Sequence, residues 1–114
     1  MNIETVRGVI GQYEKHGWQL RTVFLAGNVD PSVTLYLRSE FPRIDINYGE
    51  HSALWFSRRS LPDREAWELR RLSDTPFALV EVIEDSLDDE AKKAQLDAAY
   101  RQMFDDPRPE PIGH

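Results

Sequence analysis

The stretch Ser60-Leu61-Pro62-Asp63-Arg64-Glu65-Ala66-Trp67-Glu68-Leu69-Arg70-Arg71-Leu72 decides the fold, because it can be written either as a helix or as a strand. Ser60 as a cap, Pro62 in the first turn and Asp63 three residues after the cap are the marks of a helix start. Trp67 and Leu69 alternating with Glu68 and Arg70 have the two-residue period of a strand. On that reading the segment Leu61 to Arg64 is the loop of a hairpin returning from the apolar run Ala53-Leu54-Trp55-Phe56-Ser57, itself a well-buried strand. We take 60–72 as strand.

Outward from this hairpin toward the C-terminus, Ser73-Asp74-Thr75-Pro76 reads as a turn and Phe77 to Ile83 as another strand. Ser86, with Asp89 three residues on, then caps a helix running to about Phe104. From 105 the prolines at 107, 109 and 111 stop the helix and favour an extended tail. Toward the N-terminus, Ile44, Ile46 and Tyr48 form a strand, and Val33, Leu35 and Leu37, alternating with Thr34, Tyr36 and Arg38, form one before it. Trp18, Leu20 and Phe24 alternate with Gln19, Arg21 and Val23 in the first strand, which ends in a turn at Gly27 to Pro31. Ile3, Val6, Val9, Ile10 and Tyr13 make one helical stripe that Gly17 terminates.

The order of elements implies an α+β fold in which an antiparallel meander of five or six strands carries the N-terminal and C-terminal helices on one face. The 114 residues make one domain over 1–104 and a Pro-rich tail over 105–114. No strand-helix-strand alternation is read, which weighs against a parallel nucleotide-binding sheet.

Composition removes whole classes of chemistry. With zero cysteines there is no thiol nucleophile, thiolate metal site or iron–sulfur ligation, and a reducing, cytoplasmic setting is expected. Glu4, Arg7, Glu14 and Lys15 break up any export signal, and the longest stretch without charge, Thr22 to Val29, is far short of the roughly 18 residues a membrane span requires. His16, His51 and His114 are not at ligand spacing, so no metal and no cofactor is expected. His51 and Ser52 are adjacent and lack a nucleophile elbow, and Asp45 to Gly49 misplaces the glycine of a calcium loop. No catalytic residue is assigned. Gly8-Val9-Ile10-Gly11 has the spacing of a phosphate-clamping loop but not its basic surroundings, so nucleic acid is not expected as a partner.

Charge is distributed unevenly: residues 1–49, 50–73 and 74–114 carry 0, +1 and −7, for a net −6. All the cations of the middle segment are arginines, Arg58, Arg59, Arg64, Arg70 and Arg71, close in sequence to Trp55 and Trp67. Such a hairpin could hold an anion by forked hydrogen bonds and stacking, or its arginines could simply pair with the chain's own carboxylates. Gly8 and Gly11 lie opposite the stripe of the first helix. The last helix has a small-residue stripe, Leu87, Ala91, Ala94 and Ala98, nearly opposite Leu96, Tyr100 and Met103. Two apolar faces need two neighbours, which are the sheet and either the first helix or a second copy of the chain. The leading expectation is a small acidic protein-interaction module, non-enzymatic, with a protein partner and a homodimer as one form. A small-molecule anion-binding or catalytic domain using the Arg/Trp hairpin is the alternative.

Overall fold

A computed structural model describes residues 2–72 and 77–104, so the expected turn 73–76 and tail 105–114 lie outside the described residues. Helix α1, Ile3–Lys15, begins where Asn2 accepts a 2.9 Å hydrogen bond from the Thr5 amide. It ends at Gly17, whose φ of 87° is the left-handed value that lets the chain reverse at little cost. Strand β1, Gln19–Ala26, carries a register shift between Leu20 and Thr22. The extra residue puts Leu20, Val23 and Leu25 on one face and sends Phe24 to the other, which a uniform two-residue period cannot express.

The expected strand at Val33 to Leu37 is a helix, α2, Pro31–Glu40. Asp30 caps it by accepting from the Ser32 amide at 3.0 Å, Pro31 occupies its first turn, and Val33 and Leu37, four residues apart, are the buried pair. Strand β2, Asp45–Gly49, then returns parallel to β1, from Thr22 opposite Asp45 to Ala26 opposite Gly49. A strand-helix-strand unit is therefore present, and the sheet is mixed.

The decisive hairpin is a hairpin. Strand β3, Ala53–Leu61, turns into β4, Arg64–Arg71, and β5, Phe77–Glu84, follows antiparallel, giving the five-stranded order β2-β1-β3-β4-β5. Helix α3, Asp89–Phe104, starts later than expected: Asp88, not Ser86, accepts from the Ala91 amide at 2.8 Å.

The terminal helices do not share a face. Leu20, Val23, Leu25, Leu54 and Phe56 meet α1 and α2, whereas Ala53, Trp55 and Leu69 meet Ala99 of α3 on the other side. The cause lies in β3, whose residues from Ala53 to Ser57 are buried in both orientations, so each side of the sheet needs its own layer. Among the described residues the two buried polar side chains are satisfied: Ser52 Oγ accepts from the Ala26 amide at 2.8 Å and Ser57 Oγ from Arg21 at 3.1 Å.

Candidate interaction surface

Cross-strand partners share a face, and the registers therefore map the side of the sheet that carries α1. Phe56 neighbours Glu68, which neighbours Val80; Arg58 neighbours Ala66 and then Val82; Leu54 neighbours Arg70 and then Ala78. Helices α1 and α2 stand on the β2-β1-β3 half, while among the described residues no helix lies above the β4-β5 half. Val80 and Val82 are accordingly 56% and 48% exposed. β5 is also the outer strand on this side, paired with β4 alone.

The C-terminal turn of α1 makes the wall of this bare half. Tyr13 lies flat on Phe56, centroids 4.0 Å apart, and its hydroxyl donates to Glu68 Oε2. Burial first, and then the hydrogen bond to that carboxylate, hold the phenol proton well above its ordinary range. Arg58 stands over the Trp18 ring at 4.5 Å and donates to the His16 carbonyl at 2.8 Å. With Gln12 these side chains border a cleft of about 310 Å³. A phenol that keeps its proton more firmly is the opposite of an activated nucleophile.

The five arginines of the middle segment do not converge. Arg58, Arg64 and Arg70 lie on the α1 side, and Arg59 and Arg71 on the α3 side, because the strand alternates. Arg59 takes Asp85 by both carboxylate oxygens, at 2.8 and 3.0 Å, Arg64 takes Asp63 at 3.0 Å, and Arg70 donates to the Arg71 carbonyl. Arg71 stands 5.4 Å from the Phe77 centroid. Trp55 is buried beneath α3, and Trp67, edge-on to it, donates to Glu65 and carries Arg21 over its ring at 4.8 Å. The tryptophans that meet cations are thus Trp18 under Arg58 and Trp67 under Arg21, while Phe77 meets Arg71 and Tyr36 meets Arg7.

The double stripe of the last helix resolves differently from expectation. Leu96, Tyr100 and Met103 pack together with Phe24, Trp67 and Phe104 beside the second core, Tyr100 lying 4.5 Å from Phe24, while Ala94 and Ala98 face outward. Gly8 and Gly11 have nothing within 4 Å of where a Cβ would stand. Helix α3 does not approach them, because it lies across the sheet.

Sequence reasoning missed Ala66, Ala78, Val80 and Val82. Their signal was a segment, Phe77 to Ile83, apolar in both phases, with α3 the one described element after it to cover a face. A second hollow, of about 410 Å³, opens where Leu25, Val29, Pro31, Leu35 and Tyr48 meet at the far end of the sheet, and Leu35 there is 70% exposed. Among the described residues no group of histidines and carboxylates could hold a metal ion, and no helix is long and apolar enough to cross a membrane. No family model matches the chain, and comparison with curated proteins and with solved structures gives no match.

Proposed function

We propose that this domain is a non-enzymatic protein-interaction module whose contact surface is the bare β4-β5 half of the sheet. One observation carries the reading: a shallow trough, walled by Tyr13 of α1 and floored by Ala66, Ala78, Val80 and Val82, leaves two valines in water while the other half of that face is covered. Exposed apolar area bordered by charge, here Glu68, Arg58 and Arg70, is the make-up of an interface whose centre is apolar and whose rim is polar. The segment charge of −7 over 74–114 favours a basic partner, since charge sets association rate and selectivity. An adaptor, chaperone-like or neutralising role fits this chemistry, and the absence of cysteine suits a cytoplasmic setting.

The test is affinity capture from the native host with the full chain and with an Ala66→Asp variant. Ala66 is one strand in from the edge, so the substitution puts a charge in the trough without touching β5. A protein retained by the parent chain and lost by a folded Ala66→Asp variant supports the proposal. Equal retention by both, or none by either, contradicts it.

A further inference from the structure

We infer that β5 is the dimer strand of this protein: two copies join edge to edge through β5, antiparallel about a twofold axis at Val80, fusing two five-stranded sheets into one. This rests on reading the chain as an interaction module, and it names one partner, a second copy, at the edge of the sheet and not on its face.

The first support is that, among the described residues, no strand pairs with the outer edge of β5. Edge strands in stable monomers are kept short or blunted with lysine, proline or a bulge. The other edge obeys by being short, since β2 spans only Asp45–Gly49. β5 spans the eight residues Phe77–Glu84, carries Glu81 and Glu84 but no lysine or proline, and pairs with β4 through unbroken register from Arg64 opposite Glu84 to Arg71 opposite Phe77. Phe77, Val80 and Val82 are its exposed apolar side chains. Gln95 of α3 reaches it from one side, donating to Glu81 Oε1 and the Val82 carbonyl, and a carbonyl with two lone pairs can still accept a second bond.

The second support is self-complementarity. A twofold axis normal to the sheet keeps each residue on its own face, so paired positions must differ by an even number. With Val80 on the axis, Val80 meets its own copy, Ala78 meets Val82, Leu79 meets Glu81 and Phe77 meets Ile83. No carboxylate faces a carboxylate. An axis at Glu81 would set Glu81 against itself, and one at Val82 would set Val80 against Glu84 and shorten the pairing.

The third support is charge. Along the α1 side, the β4-β5 ribbon ends in Glu84 at one extremity and Arg70 near the other. Antiparallel pairing brings Glu84 of one copy diagonally toward Arg70 of its partner, with Cβ atoms about 12 Å apart by strand spacing and rise, within reach of two long side chains. The two troughs then become one, floored by β4 and β5 of both copies.

The experiment is sedimentation equilibrium of the full chain at about 50 μM, together with Val80→Lys and Val80→Glu variants, each checked by circular dichroism for an unchanged fold. The parent chain should have the mass of two copies and each variant the mass of one, because like charges meet on the axis. An equimolar mixture of the two variants should regain the dimer mass as a heterodimer. A parent chain of monomer mass overturns the inference and leaves the edge to another protein, as does a dimer unmoved by both variants or a mixture that stays monomeric. Ala66→Asp should keep the dimer mass, so loss of the host partner and loss of the dimer are separate results.

Discussion

The ring of Tyr13 lies flat on that of Phe56, with centroids 4.0 Å and planes 6° apart. This contact ties α1 to the third strand where the covered half of the sheet gives way to the bare half, and from it the Tyr13 hydroxyl reaches Glu68. Removing the ring and removing the hydroxyl should therefore have different consequences. Tyr13→Ala loses the stack and should cost about 3 kcal/mol in denaturant unfolding, and Tyr13→Phe, which loses only the hydrogen bond, about 1 kcal/mol.

The same hydroxyl gives a pH dependence whose sign is fixed. Its folded pKa is raised, so the stability it contributes is fully present below about pH 10, the unfolded value, and is lost as pH rises toward the folded value. Unfolding followed from pH 9 to 11 should show alkaline destabilisation in the parent chain and a shallower fall in Tyr13→Phe. Equal slopes would mean that burial and the Glu68 hydrogen bond do not hold the phenol proton in the folded chain.

At the helix starts, Asn2→Ala removes the acceptor for the Thr5 amide and should cost about 1 kcal/mol. Asp30 adds a charge to the same role: the backbone hydrogen bond from Ser32 holds its carboxyl below the ordinary range. Its contribution is present above the unfolded carboxylate pKa and lost as pH falls through the lowered folded one. Asp30→Asn should keep the cap and flatten the acid limb of the stability curve, which thermal melts between pH 2 and 5 would record.

Gly8 and Gly11 sit inside α1 in open space, so Gly8→Ala and Gly11→Ala should each stabilise by about 0.5–1 kcal/mol. Gly17→Ala, at positive φ, should destabilise instead. Sedimentation mass should be the same in all three, because no interface assigned above involves α1's glycines.

Much of this fold was legible where a period ran without interruption. The 3.6-residue stripe of α1, the hairpin of β3 and β4 and the strand at 77–83 all follow from spacing. Two elements were obscured, one because a short segment satisfies two periods at once and the other by a bulge. Val33, Leu35 and Leu37 alternate, yet Val33 and Leu37 are also four apart, and the helical reading wins because Asp30-Pro31 starts it and Leu35 can stay in water. The bulge after Leu20 reversed the apparent phase of β1, an event no alternation records. The side of the sheet that α3 takes depends on how the chain crosses after β5, and so did the placing of Leu96, Tyr100 and Met103. The bare trough is invisible in sequence for the same reason: Val80 and Val82 look like core until it is known which half of the sheet has no helix above it.

The central claim is that the β4-β5 half of the α1 face is where a partner protein sits. The chain has no cysteine, so a single Val82→Cys thiol can be read cleanly by maleimide labelling. In the free chain it should label fast; in the complex isolated with the captured host protein its labelling should fall at least tenfold, while a Gly11→Cys thiol on exposed α1 stays fast in both. A Val82→Cys thiol that labels equally fast in the free chain and in the complex would contradict the account.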